Sequence, residues 1–284
     1  METGDIHIEK NRVFGTGGGR ELKCDIYKPQ NLKNPTPVVL FFHGGGWRMG
    51  NKDMMESPAL HLSNKGYVCI ASEYRLNTES RWPAQIEDVK AAIRWIRANA
   101  EELGINPEMI CLQGHSAGAH LALHAAGTPN IKAFSGKGGN PGIEESIAAT
   151  AVFYAPVRFS MPGEKLSGAS PLRALMGNDS GSAEEAKQAS PIEYVSANFP
   201  PTLLLHGTGD KTVPPSSSMR MYEALTAVKA NVELHMLSGL PHGFARRGSY
   251  LAVYQDEIDF FYQRYVVAQE KLTKELEQPV AVQS

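Results

Sequence analysis

The spacing of hydrophobic residues changes once along the chain. Near the N-terminus, apolar and polar residues alternate over Glu21–Tyr27, as in a strand with one buried face. Asn11–Phe14 is a similar stretch, and the glycine-rich segment 15–19 between the two predicts a hairpin turn. The chain is therefore expected to begin with antiparallel strands.

After residue 37, short continuous apolar runs alternate with segments of helical spacing. Continuous runs are typical of strands that are buried on both faces. We predict six such strands, at Val38–Phe42, Tyr67–Ser72, Met109–Gln113, Ile147–Ala155, Thr202–His206 and Val232–Leu237. Helical patterns occupy Ala84–Asn99, Ala117–Ala126 and Tyr250–Val267. Alternating strands and helices predict an α/β fold with a mostly parallel central sheet and helices on both faces.

The chain of 284 residues predicts one domain, residues 1–284, because single α/β domains reach this length. Residues 156–200 lie between two predicted strands and are expected to contribute a small cap. Short helices are predicted there, around Pro171–Met176 and Ala183–Gln188. Residues 270–284 are charged and then irregular, and we predict that this tail frays.

Composition narrows the function classes. The net charge is −2, from 28 basic and 30 acidic residues, so no nucleic-acid partner is expected. No apolar run reaches the ~18 residues that a membrane span needs. The N-terminal residues 1–12 contain no apolar signal segment, which favours a cytoplasmic location, although a trimmed secreted chain would look the same. Three cysteines do not suggest a disulfide framework. The oligomeric state stays open, a homodimer included.

The segment 114–118, Gly-His-Ser-Ala-Gly, matches the G-x-S-x-G pattern of a nucleophile elbow. A predicted strand precedes it and a predicted helix follows it, which is the setting that this motif requires. The tight turn presents the serine hydroxyl, and the N-terminus of the helix directs free N–H groups toward a developing oxyanion. Ser116 is therefore the candidate nucleophile.

A second glycine-rich segment, His43-Gly44-Gly45-Gly46-Trp47, follows the strand Val38–Phe42. Glycines let backbone N–H groups approach a ligand closely. We expect Gly44 and Gly45 to form an oxyanion hole together with the N–H of Ala117. The alternative is a plain glycine turn.

The base and the acid should follow the last strands of the sheet. His242 lies just after the strand Val232–Leu237, and Asp210 lies just after Thr202–His206. The order Ser116, Asp210, His242 is the one that α/β-hydrolases use. Asp179 is the competing acid, but no predicted strand directly precedes it.

These motifs resemble those of the HGGGW-type esterases of the α/β-hydrolase superfamily, which are related to the hormone-sensitive-lipase-like group. The pattern is most similar to bacterial feruloyl- and acetyl-esterase-like members, from about residue 20 to residue 265. The resemblance implies that Ser116, Asp210 and His242 form the triad and that Gly44 and Gly45 belong to the oxyanion hole. Relatives often have a second glycine where this chain has Ala119. The matching segments are HGGGW at 43–47, EYRL at 73–76, WPAQIEDV at 82–89, GHSAG at 114–118, SPIEYV at 190–195, HGTGD at 206–210 and PHGF at 241–244.

Other residues have weaker claims to function. His120 and His124 are four residues apart, but the metal-binding motif with that spacing needs Glu where this chain has Leu121. We therefore expect no metal and no organic cofactor. The substrate pocket is predicted to include Trp47, His115 and Trp82, with Met49, Met54 and Met55 as further candidates and core packing as the alternative reading.

The sequence thus predicts a serine carboxylesterase that hydrolyses short-chain acyl or aryl esters, with a small-molecule ester as its substrate and neither a nucleic acid nor a membrane as a partner. Three other functions fit parts of the pattern. An arylformamidase or other amidase of this fold would use the same elbow. A non-catalytic binding protein would typically lack a triad member, and a metal-dependent hydrolase would need ligands beyond His120 and His124.

Overall fold

The computed structural model describes residues 6–32, 36–159, 171–177 and 181–277. Its core is one eight-stranded sheet in the spatial order β1-β2-β4-β3-β5-β6-β7-β8. The strands are β1 (Ile6–Gly17), β2 (Arg20–Pro29), β3 (Val38–Phe42), β4 (Val68–Ser72), β5 (Ile110–His115), β6 (Ala149–Phe153), β7 (Thr202–Gly207) and β8 (Val232–Leu237). β1 pairs antiparallel with β2 and β2 with β4, and the other neighbours are parallel.

Helices follow most of the strands. They are α1 (Glu56–Ser63), α2 (Ala84–Ala98), α3 (Ala100–Leu103), α4 (Ala117–Gly127), α5 (Lys132–Ser135), α6 (Pro171–Leu175), α7 (Ala183–Gln188), α8 (Ser216–Ala227), α9 (Gly248–Tyr262) and α10 (Gln269–Glu277). Shorter 3₁₀ turns lie at Lys52–Met55, Pro191–Tyr194 and Phe244–Arg246, and a π turn at Gln263–Val267 follows α9. Among the described residues, no helix is both long and apolar enough to cross a membrane.

The two faces of the sheet build two hydrophobic cores, because side chains alternate along a strand. In β3, Val38 and Leu40 belong to the core that α2, α4 and α8 cover. Val39 and Phe41 belong to the opposite core, which α1 and α9 cover. Every residue of β3 is buried, which explains its continuous apolar run. The predicted α/β fold, with a mostly parallel central sheet and helices on both faces, is confirmed.

The six strands predicted after residue 37 are all present, with ends that shift by up to two residues. The tail differs from the prediction, because residues 269–277 form the helix α10. Residues 278–284 lie outside the described part. β1 is also longer than the predicted Asn11–Phe14, and its pairing with β2 shifts register at two places.

The segment predicted to form a small cap is described only in part, since residues 160–170 and 178–180 lie outside the described residues. α6 and α7 lie where the two short helices were predicted. Asn77 donates a hydrogen bond to the carbonyl of Ala174, and Arg81 forms an ion pair of 2.6 Å with Glu185. These contacts attach both short helices to the loop that follows β4. The cap as such stays a prediction.

A buried ionic cluster holds the loop between α5 and β6 against α2. Glu145 accepts from Lys90 at 2.9 Å and from Arg94 at 2.5 Å, and each of the three side chains is at most 2% exposed. Arg94 also donates to the carbonyls of Ser135 and Gly138. Buried charges need such partners, because removing a charge from water without one is costly.

Candidate active site

Ser116 occupies a strained turn between β5 and α4. Its φ of 54° and ψ of −114° lie in a region that residues other than glycine rarely adopt. The Ser116 N–H donates to the carbonyl of Phe153 on β6 at 3.0 Å, which ties the turn to the sheet. A Cβ atom at Gly118 would lie 2.2 Å from the carbonyl oxygen of Phe42, so only glycine fits there. The turn therefore has the geometry that the G-x-S-x-G pattern predicts.

The structure brings Ser116, His242 and Asp210 into one hydrogen-bonded line. His242 Nε2 lies 3.0 Å from Ser116 Oγ, and His242 Nδ1 lies 2.7 Å from Asp210 Oδ2. His242 follows β8, and Asp210 follows β7. Ser116 follows β5, so all three lie at the carboxyl ends of parallel strands, which meet at one edge of the sheet. The competing acid, Asp179, lies outside the described residues.

Asp210 is held as an anion by four donors. Burial of the carboxylate opposes ionisation, but hydrogen bonds from His206, His242 and two backbone N–H groups outweigh it, and the pKa of Asp210 lies well below its usual range. The N–H groups of Thr212 and Val213 donate to Oδ1 at 2.8 and 2.9 Å. His206 Nε2 lies 3.3 Å from Oδ2, and the side chain of His206 is fully buried. A negative charge fixed in this way can hold His242 in the tautomer that leaves Nε2 free to accept a proton.

The glycine-rich segment 43–47 lies directly beside the nucleophile. A Cβ atom at Gly44 would lie 3.3 Å from Ser116 Cβ, and Gly45 has a φ of 123°, a left-handed conformation that favours glycine. The N–H groups of Gly44, Gly45 and Ala117 donate to no other residue of the described chain. Backbone donors that have no partner in the described residues, on segments that adjoin Ser116, are what an oxyanion hole needs.

The loop that carries Gly44 and Gly45 is anchored to α4 through Trp47. Trp47 Nε1 donates to His120 Nδ1 at 3.2 Å, and His120 Nε2 donates to the carbonyl of Ala189 at 2.7 Å. Both ring nitrogens of His120 are thus occupied, and so is Nε2 of His124, which lies 2.8 Å from the carbonyl of Gln188. Among the described residues, no group of three His, Cys, Asp or Glu side chains is arranged to hold a metal ion.

This anchoring changes the prediction for the substrate pocket. The cavity at Ser116 has a volume of about 390 Å³, and His115, Met49, Met54 and Met55 line it. Trp47 and Trp82 do not line it in the described part of the chain. They are 3% and 4% exposed and pack against His120 and, for Trp82, against His124. Large aromatic rings gain most from burial, and the histidines on α4 offer them a partner in the core.

His115, next to the nucleophile, is not positioned as a base. It is 2% exposed, and burial lowers its pKa to about 3, with further lowering by the charges of Arg246 and His242. Its Nδ1 lies 3.4 Å from the hydroxyl of Tyr154. His115 is therefore a neutral wall of the cavity.

The sequence reasoning missed three residues of the site. Tyr154 lines the cavity, has a φ of 43° and packs its ring 4.5 Å from that of His242. Its place directly after β6 was the available signal. The sequence analysis included His206 only as part of the segment HGTGD at 206–210 and gave it no role of its own. It did not include Arg246, which lies four residues after His242.

A larger cavity of about 580 Å³ lies beside α9 and α10. The residues that line it include Phe260, Tyr265 and Leu272, but no serine or histidine. Within the described residues, this cavity therefore lacks the serine and histidine side chains that line the cavity at Ser116.

The fold and the order of the three side chains define the chain as an α/β-hydrolase. A family model described as BD-FAE matches residues 24–225, which is most of the chain, and the chain belongs to this family. The predicted resemblance to esterases of this superfamily is confirmed.

The chain is similar to curated esterases of Mycobacterium tuberculosis. It is 33% identical over 242 residues to the probable carboxylic ester hydrolase LipM, a match that covers 81% of this chain and 55% of LipM. Identity to the esterase LipC is 30% over 244 residues, covering 84% of this chain and 60% of LipC. The chain thus spans little more than half the length of these relatives.

Solved structures resemble the chain over nearly its whole length. A truncated carbohydrate esterase from gut microbiota has a TM-score of 0.80 and 25% identity, over 93% of this chain and 99% of that one. Esterase 2 of Thermogutta terrifontis with bound propionate has a TM-score of 0.77 and 28% identity, over 94% and 96% of the two chains. The same esterase has been solved phosphonylated by sarin.

Proposed function

We propose that this chain is a serine carboxylesterase that hydrolyses short-chain acyl or aryl esters. The observation that carries the proposal is the hydrogen-bonded line from Asp210 through His242 to Ser116, with contacts of 2.7 and 3.0 Å. In this proposal Ser116 is the nucleophile, His242 the general base and Asp210 the acid that orients it. The names of the relatives LipM and LipC support the reaction class.

The proposed reaction has two halves. In the first, Ser116 Oγ attacks the ester carbonyl carbon while His242 Nε2 takes the hydroxyl proton. The tetrahedral intermediate collapses, the C–O bond to the alcohol breaks, and His242 returns the proton to the leaving oxygen. In the second half, His242 deprotonates a water molecule that attacks the acyl carbon. The bond from that carbon to Ser116 Oγ then breaks, His242 returns the proton to Oγ, and the acid is released.

The backbone donors are proposed to stabilise the negative oxygen of each intermediate. The N–H groups of Gly44, Gly45 and Ala117 are free to donate to it. Removal of one such donor typically lowers kcat by 10²–10³ in serine hydrolases. Because these donors are backbone groups on packed elements, they need little rearrangement as charge develops.

The cavity size supports a short acyl group. Its volume is about 390 Å³, and its lining includes Met49, Met54 and Met55. Space of this size holds a few acyl carbons beside an aryl leaving group. Each further methylene that stays outside the cavity loses the binding free energy of about 0.8 kcal/mol that its burial would give. The Thermogutta terrifontis esterase 2 has been solved with propionate and with butyrate, both short acids.

The nucleophile is tested by covalent labelling. A fluorescent alkyl phosphonate should modify Ser116, and mass spectrometry of peptides should locate the label there. Ser116→Ala should abolish labelling and lower kcat by at least ~10⁴, because the residual rate comes only from binding and the oxyanion donors. Ser249→Ala, at an exposed serine outside the cavity, is the matched control and should label normally. A label on any other serine would overturn the assignment.

The substrate class is tested with two sets of compounds. On 4-nitrophenyl esters of increasing length, kcat/KM should peak at two to four acyl carbons and fall steeply by eight to ten. A peak at twelve or more carbons would contradict the proposal. 4-Nitrophenyl butyrate should be cleaved much faster than the matched anilide, and a preference for the anilide would favour the amidase alternative.

A further inference from the structure

Arginine provides the charged lining of the catalytic cavity and of a smaller cavity next to it. Arg246 lines the catalytic cavity. Arg158 and Arg220 line the second cavity, which has a volume of about 100 Å³. Thr212 lines both, so the two cavities adjoin. Among the described residues, neither lining contains an aspartate, a glutamate or a lysine.

These three arginines differ from many of the others in having no carboxylate partner. Each is exposed, and none forms an ion pair with another described residue. The arginines that do form ion pairs are Arg12, Arg20, Arg75, Arg81, Arg94, Arg97 and Arg264. These three arginines therefore have no carboxylate partner among the described residues, since the anion of the site, Asp210, is held by His206, His242 and two backbone N–H groups.

Arg246 is held close to the reacting groups. It ends the 3₁₀ turn Phe244–Arg246 that begins two residues after His242, and its N–H donates to the carbonyl of Gly243 at 3.3 Å. Its Nη2 atom lies 3.7 Å from the place that a Cβ atom at Gly243 would take. The guanidinium is thus beside the backbone next to the proposed base. Burial raises the pKa of Tyr154, another residue of the lining, and the nearby charge of Arg246 opposes that rise.

We infer that Arg246 determines specificity and that the cavity selects esters which carry a carboxylate group. The inference rests on the proposed esterase function. A guanidinium binds a carboxylate through two parallel hydrogen bonds, and a cleft with charge of one sign concentrates ligands of the other. Arg158 and Arg220 extend the positive surface into the adjoining cavity, where they attract the same ligands.

The experiment compares esters that differ only in charge. One pair, 4-carboxyphenyl acetate and 4-carbamoylphenyl acetate, places the carboxylate in the leaving group. The other pair, monoethyl adipate and ethyl adipamate, places it in the acyl group. The measured quantity is the ratio of kcat/KM for the acid to kcat/KM for its neutral amide, at low and high salt.

Arg246→Gln should lower this ratio about ten-fold for at least one pair, a change that corresponds to about 1.4 kcal/mol. Arg246→Lys should retain much of the ratio, and Arg246→Glu should lower it further. Arg247→Gln, the exposed neighbour that does not line the cavity, should leave the ratio unchanged. Raising NaCl from 0.05 to 0.5 M should lower the ratio in the unmodified protein, because exposed charges are screened.

Two failures can be told apart. If the protein cleaves neutral esters but Arg246→Gln leaves both ratios unchanged, the inference about Arg246 is wrong and the esterase proposal stands. If neither the neutral nor the acidic esters are cleaved, the esterase proposal fails, and the inference fails with it.

Discussion

The buried imidazole of His120 predicts that the fold loses stability in mild acid. His120 is fully buried, and this burial lowers its pKa to about 4. Its Nδ1 accepts the Trp47 indole N–H, so a proton on Nδ1 would place two donors against each other. Neighbouring His124 is also buried, and its pKa lies well below the usual value. The folded protein therefore keeps these rings neutral.

The sign and size of the effect follow from linkage. An unfolded histidine has a pKa of about 6.5, so above that pH neither state binds the proton and the full stability is present. As the pH falls from 6.5 to 4, only the unfolded chain binds it, and the free energy of unfolding falls by about 1.4 kcal/mol per pH unit. At pH 5, His120 alone accounts for a loss of about 2 kcal/mol.

Urea unfolding at pH 8 and pH 5 tests this value. The glutamine side chain in the variant His120→Gln does not titrate between these pH values. The free energy of unfolding of the unmodified protein, relative to that of this variant, should therefore be about 2 kcal/mol lower at pH 5 than at pH 8. Leu121→Val, a neutral change on the same helix, should give a difference that does not vary with pH. A pH-independent difference for His120→Gln would refute the reasoning.

Two further predictions concern the acid and the ionic cluster. Asp210→Asn should lower kcat by roughly 10⁴ without unfolding the protein, because His242 would adopt the wrong tautomer. Asp179→Asn should lower kcat only slightly. Measuring ester hydrolysis by both variants checks this, and a larger loss for Asp179→Asn would reassign the acid. Glu145→Gln should lower the free energy of unfolding by about 3–5 kcal/mol, since Lys90 and Arg94 would stay buried with no anion beside them. The exposed Glu144→Gln is its control in urea unfolding, and equal losses would contradict the buried cluster.

Local patterns were enough to predict the sheet and the elements around the site. Parallel strands buried on both faces have continuous apolar runs. The ends of the six strands after residue 37 were therefore predicted to within two residues. The nucleophile elbow depends on five consecutive residues, and chain order restricts where the acid and the base can lie. Ser116, Asp210 and His242 therefore come together where the sequence placed them.

The errors involve contacts between residues distant in sequence. The alternation in β1 is interrupted by register shifts between Glu9 and Arg12 and between Val13 and Gly15, which hid most of that strand. Trp47 and Trp82 looked like pocket residues, but His120 and His124 draw them into the core. No local sequence pattern specifies that these tryptophans pack against the histidines of α4. The charged helix α10 was missed because few of its residues are apolar.

The strand order has a consequence for how the protein would inactivate. β5, which leads to Ser116, lies in the middle of the sheet with a parallel neighbour on each side, whereas β8, which leads to His242, is an edge strand whose residues are all partly exposed. Edge elements open with less free energy than central ones. Backbone amides of β5 should therefore exchange with deuterium far more slowly than those of β8. On gentle heating, hydrolysis should be lost while the central sheet is still folded, because β8 and the His242 that follows it would unfold before β5 and Ser116 do.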